Sequence, residues 1–157
     1  MADRAEATTS GTDARRLAQS ALADDVEFLL ARARSVGTMR ANRHLAELGL
    51  RVRDYAALSL AASDLHPSQR ELAEYLSLDP SQIVALIDGL EARGLVVREP
   101  HASDRRLRVI DATAEGHRVY RQARELAVRA EEESLGALDV AERELLRDLL
   151  RRLAFPA

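Results

Sequence analysis

Cysteine and lysine are absent from the 157-residue sequence, in which all 23 basic residues are arginine. Without cysteine, the chain has no disulfide, no thiolate metal site and no thiol nucleophile. No apolar run approaches the roughly 20 residues that a membrane helix needs, and the N-terminus lacks the basic and apolar regions of a signal peptide. These absences predict a cytoplasmic protein that does not contact a membrane.

Patterns typical of enzymes are missing as well. The four histidines fall in different predicted elements without metal-ligand spacing, at positions 44, 66, 101 and 117. The sequence contains no Gly-rich phosphate loop and no nucleophile elbow. We therefore expect a protein that is not an enzyme and that binds neither a cofactor nor a metal.

An excess of positive charge is also lacking, since the formal net charge is −3. A nucleic-acid-binding domain usually has a basic excess or a basic stripe. Between residues 68 and 112, six arginines are outnumbered by eight acidic residues, at 71, 74, 79, 88, 91, 99, 104 and 111. Four of these arginines lie in the second half of the segment, at 98, 105, 106 and 108. A local basic patch on an acidic protein remains compatible with this distribution.

The segment from Ser68 to Ala112 predicts the central structural unit. Its first helix covers residues 69–76 and ends at the turn before Pro80. Asp79 is a good N-cap and proline suits the first helical position, so a new helix is expected to start at Pro80. A second helix then covers residues 80–93 and ends before Gly94. The apolar face of this second helix contains Ile83, Leu86, Ile87 and Leu90.

A charged hairpin follows the two helices. Residues 95–98 and 107–110 are short and rich in β-branched side chains, which predicts two strands. The polar connector 100–106 between them contains turn-forming residues. Two helices joined by a tight turn and followed by such a hairpin predict a winged helix-turn-helix, in a fold that is otherwise mainly α-helical.

Long helices are predicted on both sides of this unit, and residues 1–12 form a tail that we expect to be disordered. Before the unit, helices are expected from Asp13 to Val36, from Met39 to Leu48 after an interruption at Gly37, and from Arg53 to Ser63. The first of these carries an apolar stripe of Leu22, Val26, Leu29, Ala33 and Val36.

After the unit, Thr113 is expected to cap a helix that buries Val119, Ala123, Leu126 and Ala130. Glu131 to Glu133 interrupt its apolar pattern and are interpreted as a solvated face. The last helix, residues 140–153, presents a wide leucine face that nothing later in the chain can cover. These surplus apolar faces predict a homodimer formed by the terminal helices, and the alternative is an all-helical monomer that packs the faces on itself.

Three runs of residues resemble the MarR family of bacterial transcription regulators. They are Leu90 to Arg98, Asp104 to Arg106, and Asp111 to Gly116, which match the family's Leu-Glu-x-x-Gly-Leu helix end, its Asp-x-Arg wing and its Thr-x-x-Gly strand exit. Ser77 departs from the glycine that is common in the helix-turn-helix turn. The resemblance implies a homodimeric regulator that binds double-stranded operator DNA.

The place of each residue along the second helix predicts which residues contact bases. Ser81 and Gln82 occupy its first turn, which a helix in the major groove directs toward base edges. The Gln82 amide can pair with adenine, the Ser81 hydroxyl can donate to a phosphate or a base, and Ala85 is small enough to contact a thymine methyl. We assign Ser68 and Gln69, at the start of the preceding helix, to the same surface. For Gln82, the alternative is a solvated surface residue on a helix that binds nothing.

The connector supplies the second predicted contact. Arg106 matches the wing arginine, which the resemblance places at the minor groove. Asp104 lies two residues away on an extended strand, so it points to the same side and can orient Arg106. Arg105 points the other way, toward phosphate. A polar loop selected for solubility is the alternative interpretation.

Regulators that resemble this chain often bind a small effector between the dimer helices and the DNA-binding lobe. Arg40 and His44 near the end of the N-terminal helix, and Tyr55 at the start of the next, could hold a small aromatic or anionic effector. Surface exposure or a dimer contact would explain these residues equally well.

The predicted domain organisation is therefore a tail (1–12), a helical dimerisation region (13–52 and 113–157) and a DNA-binding lobe (53–112). The predicted function is a ligand-responsive repressor that binds a pseudo-palindromic operator with helix 80–93 and wing 100–106. The alternative is a winged-helix protein-interaction module without DNA binding, which the acidic balance permits.

Overall fold

A computed structural model describes residues 16–101 and 107–156. The elements are α1 (Val26–Leu45), α2 (Val52–Ala61), α3 (Gln69–Tyr75), α4 (Pro80–Ala92), β1 (Val96–Pro100), β2 (Arg108–Ala112), α5 (Ala114–Ser134) and α6 (Val140–Ala154). Short 3-10 helices cover Ala21–Asp24 and Ala46–Leu48. Two compact units meet within α1, between Gly37 and Thr38. The predicted tail, residues 1–12, lies outside the described residues.

Helix α1 differs from the prediction at both its start and its middle. It begins at Val26 rather than running from Asp13, because the Phe28 N–H donates to Asp25 Oδ1 at 2.8 Å and so caps the helix there. It passes through Gly37 without a break. A helix tolerates one glycine at a modest cost, so the predicted interruption was wrong. The predicted end at Gly49 is confirmed, since this glycine adopts a left-handed φ of 63°.

The helix-turn-helix forms as predicted to within a residue or two. Ser68 caps α3 through a reciprocal box, in which the Glu71 N–H donates to Ser68 Oγ (3.3 Å) and the Ser68 N–H donates to Glu71 Oε2 (2.8 Å). Ser77 follows with a φ of 52°, the left-handed conformation that glycine adopts most easily. The turn therefore keeps its backbone geometry with serine in the place of glycine.

The two strands are antiparallel and lie one or two residues later than predicted. Val96 pairs with Ala112, and Pro100 pairs with Arg108. Pairing continues toward the tip, where the His101 N–H donates to the Leu107 carbonyl at 2.8 Å. The extra pairing moves the end of β1 beyond Arg98. The β-branched run alone did not reveal this, because Glu99 and Pro100 have low strand propensity.

A single buried cluster joins the helix-turn-helix to the helices around it. It is formed by leucine, isoleucine, valine and alanine side chains of Leu45, Leu50, Leu58, Leu72, Ile83, Ile87, Leu90, Val96, Ile110, Val119, Ala123 and Leu126, with smaller neighbours. The α5 contribution is the stripe predicted from the sequence, and Thr113 caps that helix by accepting from the Gly116 N–H at 3.0 Å. This core fixes the position of α4 and leaves its opposite face outside.

Helix α6 contributes little to this core. The structure describes every residue of this helix, and none of them is buried. Asp139 and Glu142 cap its N-terminus reciprocally, with distances of 2.9 and 2.8 Å. Leu145 and Leu153 are 60% and 68% exposed. The predicted leucine face is therefore present and uncovered within one chain.

Candidate nucleic-acid interface

The exposed face of α4 carries the side chains that the sequence assigned to base contacts. Ile83, Ile87 and Leu90 are 2% exposed or less and fasten the helix to the core. Ser81, Gln82 and Ala85 are exposed on the opposite side. Val84, Asp88 and Gly89 are exposed as well, and the sequence analysis did not assign them. Their spacing from Ser81 and Ala85 was the available signal, because positions 81, 85 and 88 share one helical face.

Gln82 has a structural contact in addition to its predicted contact with DNA. Its Oε1 accepts from the Asp79 N–H at 3.3 Å, in the reciprocal position of a capping box. The side-chain NH2 group keeps its two donors for a partner outside the helix. The Asp-x-x-Gln spacing at the helix start is the sequence signal for this contact, which the analysis of recognition chemistry missed.

The side chains of Ser68 and Gln69, at the start of α3, form hydrogen bonds within the protein. Ser68 is 8% exposed, and its hydroxyl donates to Glu71 Oε2 at 2.7 Å. These hydrogen bonds from Ser68 lower the pKa of the Glu71 carboxyl. The Gln69 Oε1 accepts from Arg98 Nε at 2.9 Å. A DNA contact by Ser68 or Gln69 stays a prediction, and each side chain already has a protein partner.

Arg98 connects β1 to both helices of the helix-turn-helix. Its Nη1 pairs with Glu91 Oε2 and its Nη2 with Asp88 Oδ1, in addition to the bond from Nε to Gln69. The Arg108 guanidinium in turn donates to the Arg98 carbonyl at 3.4 Å. Counting arginines had placed Arg98 in a basic patch. In the structure its charge is instead compensated by two carboxylates of α4.

The base of the hairpin is fixed by the segment that precedes α3. The Ile110 N–H donates to the Pro67 carbonyl at 2.8 Å, and Ser68 forms an isolated bridge with Val109. His66 Nδ1 lies 2.8 Å from Asp111 Oδ1. These contacts tie the hairpin to α3. The predicted wing contacts Asp104, Arg105 and Arg106 lie outside the described residues, so their roles stay predictions.

Comparison with known proteins identifies this architecture. A family model described as MarR family matches residues 48–107. A solved MarR family regulator from Rhodococcus sp. RHA1 is 39% identical, with a TM-score of 0.81, and the match covers 88% of this chain and 100% of that one. The chain belongs to the MarR family of transcriptional regulators.

Two further similar proteins extend the comparison. CouR from Rhodococcus jostii RHA1, solved with bound p-coumaroyl-CoA, is 41% identical over 88% of this chain and 98% of that chain, with a TM-score of 0.81. The transcriptional regulatory protein for the hcr operon of Thauera aromatica is 32% identical over 99 residues, which are 63% of this chain. The chain spans 60% of that relative's length.

The effector junction is the second site that the sequence predicted. Two of its three residues, Arg40 and His44, contact the same carboxylate, that of Glu133. His44 Nε2 lies 3.1 Å from Glu133 Oε2, and Arg40 Nε and Arg43 Nη1 lie 3.5 and 3.6 Å from Glu133 Oε1. The hydrogen bond from His44, and then the charges of Arg43 and Arg40, lower the pKa of Glu133. The interpretation of Glu131 to Glu133 as a solvated face is confirmed, since all three residues are exposed. Two of these acids also form ion pairs at the surface, Glu133 with Arg40 and Glu131 with Arg147 at 3.3 Å.

Tyr55, the third effector candidate, contacts a different partner. Its ring stacks on Tyr120 with a centroid distance of 6.2 Å. Burial is the main cause that raises the pKa of its phenol. Within residues 16–101 and 107–156, no group of three or more histidine or acidic side chains is placed to hold a metal. Over the same residues, no helix combines the length and apolar character needed to cross a bilayer.

Proposed function

We propose that this MarR family chain acts as a homodimeric, ligand-responsive repressor of transcription. Helix α4 binds in the major groove of each half of a pseudo-palindromic operator, and residues 100–106 reach the adjacent minor groove. This proposal rests on the two faces of α4. One face is buried in the core, and the opposite face exposes Ser81, Gln82 and Ala85. Residues 53–112 are the DNA-binding lobe.

Dimerisation by residues 13–52 and 113–157 is supported by uncovered apolar surface at both ends of the chain. In the N-terminal unit, Leu22, Val26 and Leu29 are all exposed. In the C-terminal unit, four leucines of α6 are exposed as well, Leu145, Leu149, Leu150 and Leu153. Apolar surface of this extent on a stable protein is typical of a protein interface. A twofold dimer would also match the symmetry of a pseudo-palindromic operator.

The effector we propose is a small aromatic or anionic molecule, as the complex of CouR with p-coumaroyl-CoA supports. Arg40, His44 and Tyr55 are its proposed contacts. The Glu133 carboxylate pairs with both Arg40 and His44. An anionic effector would therefore have to displace this carboxylate, which gives the site a built-in competitor. We propose no catalytic activity for this chain. Because it would bind chromosomal DNA, we propose that it acts in the cytoplasm.

A mobility-shift titration against duplexes that tile the DNA flanking its own gene tests DNA binding. The same titration is repeated at rising salt. Contact with several phosphates predicts that the logarithm of the binding constant falls steeply and linearly with the logarithm of salt concentration. A chain that shifts none of these duplexes at low salt would instead favour the protein-interaction module.

The effector contact is tested separately with the Arg40→Ala variant. Small aromatic acids and their coenzyme A thioesters should weaken operator binding by the natural chain. Arg40→Ala should lose that response and keep nearly the same DNA affinity, because Arg40 lies outside the DNA-binding lobe. Arg43→Ala is the matched control, since Arg43 is more exposed and lies at a similar distance from Glu133. A normal response by Arg40→Ala contradicts the placement.

A further inference from the structure

Asp88 presents a difficulty for DNA binding by α4. It lies on the same helical face as Ser81 and Ala85, at the i, i+4, i+7 spacing, and its side chain is 59% exposed. A carboxylate on a helix in the major groove lies between two rows of phosphates. Like charges brought together at an interface cost several kcal/mol when nothing compensates them. Some group must therefore offset the charge of Asp88.

Arg98 is the group in the right place. It extends from β1, outside the recognition helix, and its Nη2 pairs with Asp88 while its Nη1 pairs with Glu91, one turn apart on α4. The Arg98 N–H also donates to Glu91 Oε1 at 3.3 Å. The Arg98 side chain is 23% exposed, so most of its surface faces protein rather than solvent. Both carboxylates are thus bound by one cation that is itself largely covered.

The third nitrogen of the same guanidinium fixes the other helix. Arg98 Nε donates to Gln69 Oε1 at 2.9 Å, at the first residue of α3. The planar fork of arginine can make such divergent contacts at once, whereas a lysine ammonium acts as a point charge. One side chain therefore sets the first strand of the wing against both helices of the helix-turn-helix.

We infer that Arg98 is a positioning residue of the DNA interface, which acts by offsetting one of the two negative charges that Asp88 and Glu91 place on the recognition helix and by orienting Gln69. It does not itself contact DNA. This inference rests on the proposed DNA-binding function. It also helps to explain how a chain with a net charge of −3 presents a face that phosphates tolerate, because Arg98 halves the negative charge of this pair of acids on α4.

The test compares Arg98→Met with a triple variant in which the acids are neutral too. Arg98→Met exposes the two carboxylates, so its affinity for operator and for random DNA should fall by at least about tenfold. Because the repulsion is electrostatic, the loss should be largest at low salt and shrink as salt rises. The triple variant R98M/D88N/E91Q removes the repulsion and should bind to within about threefold of the natural chain.

Arg93→Met is the matched control for the loss of one arginine in the same lobe. Arg93 donates to the carbonyls of Leu48 and Gly49 at 2.8 and 2.9 Å, away from Asp88. The Arg93→Met variant should have a lower thermal stability, but it should not show the salt-dependent loss of DNA affinity that is expected for Arg98→Met. In the triple variant the side chains at positions 88, 91 and 98 are all uncharged. This variant therefore still tests the inference if Arg98→Met does not fold.

Three results separate the inference from the function on which it rests. If Arg98→Met binds DNA like the natural chain, Arg98 has no positioning role. If the folded triple variant binds as weakly as Arg98→Met, Arg98 does not act through the two carboxylates, and the inference is wrong while the DNA-binding function stands. If the natural chain itself binds no duplex, the proposed function fails and the inference fails with it.

Discussion

At the scale of single residues, the side chains around α4 combine a structural contact with a predicted contact to DNA. Gln82 caps its own helix with Oε1 and keeps its NH2 group for a base. Gln69 was assigned to the DNA-contacting surface, and its Oε1 accepts from Arg98. A substitution at either position therefore changes two properties at once. Experiments on this interface need variants that separate folding from recognition.

Gln82 permits such a separation. Gln82→Ala removes both the cap and the amide, so it should lower the free energy of unfolding slightly and cost on the order of 1–3 kcal/mol of binding at the cognate operator. Random DNA should be affected much less, so discrimination falls more than overall affinity.

Gln82→Glu keeps the acceptor of the capping box and loses the NH2 donor, so it separates the effect on folding from the effect on recognition. Its stability should match that of the natural chain, while operator discrimination falls as in the alanine variant and the added carboxylate also lowers affinity for both DNAs. Urea unfolding and binding titrations on both DNAs measure these effects. An equal loss for Gln82→Ala on both DNAs would make Gln82 a phosphate contact and would contradict the orientation of α4.

The cluster around Glu133 makes a prediction about acid. The pKa of this carboxyl is lowered in the folded chain, so its charged form stabilises the fold at pH values above its ordinary value, and this contribution is lost as pH falls through the lowered pKa. Glu133→Gln should therefore have a lower thermal midpoint than the natural chain at pH 7, and the difference should shrink below the ordinary glutamate pKa and vanish below the lowered pKa of Glu133. Glu132→Gln, at an exposed neighbouring position, is the control. A difference that stays constant across pH would show that charge at Glu133 is not the cause.

At the scale of elements, the sequence predicted structure well wherever a local signal was sufficient. The helix-turn-helix followed from the Asp79-Pro80 start, the stop at Gly94 and the apolar spacing of α4, which are all short-range features. The start of α1 was missed, because the apolar stripe from Leu22 continues past the residue where Asp25 caps the helix. The network of Arg98 was also missed, since its partners are up to 29 residues away and only the packed strand and helices bring them together.

Two glycines in different elements provide a matched pair of substitutions. At Gly116, in the first turn of α5, an added Cβ would lie 1.9 Å from the Leu95 carbonyl oxygen. Backbone must move to admit it, so Gly116→Ala should lower the free energy of unfolding by about 3 kcal/mol. At Gly89, within α4, no described heavy atom outside the local helix backbone lies within 4 Å of the added Cβ.

Gly89→Ala should accordingly raise the free energy of unfolding by about 0.5–1 kcal/mol, because alanine loses less backbone entropy in a helix. Chemical denaturation of the two variants measures both values. Equal stability of Gly116→Ala and the natural chain would contradict the close approach of α5 to Leu95. That approach is the physical reason for the glycine in the Thr-x-x-Gly pattern.

At the scale of the whole molecule, the distribution of charge and of apolar surface explains more than the totals do. The net charge of −3 argued against DNA, yet several of the acids in the DNA-binding lobe have internal tasks. Glu71 caps α3, Asp88 and Glu91 bind Arg98, and Asp111 pairs with His66. The apolar surface is similarly divided, since the core lies around α4 while Leu22, Leu29 and four leucines of α6 are exposed. This division supports the proposal that the centre of the chain recognises DNA and that its ends assemble the dimer.

Assembly by the terminal helices gives the prediction with the widest consequence. Leu145, Leu149 and Leu153 follow one another at intervals of four along α6 and are all exposed. Leu149→Glu places a charge in the middle of this stripe, where a partner helix would have to bury it, so the variant should be monomeric at micromolar concentration by sedimentation. The control Glu144→Gln changes an exposed polar residue of the same helix and should leave the dimer intact.

Operator binding should fail together with dimerisation. A dimer engages two half-sites about 34 Å apart through one rigid body, whereas a monomer has only the contacts of a single α4 and wing. Leu149→Glu should therefore lose most of its affinity for a full operator and bind an isolated half-site about as well as the natural protomer does. Because α6 has no buried residue, the substitution leaves the core unchanged, and an unaltered thermal unfolding profile of the lobe would show this. If a folded Leu149→Glu monomer keeps full operator affinity, recognition does not require the dimer. If the natural chain itself sediments as a monomer, these helices do not assemble a dimer.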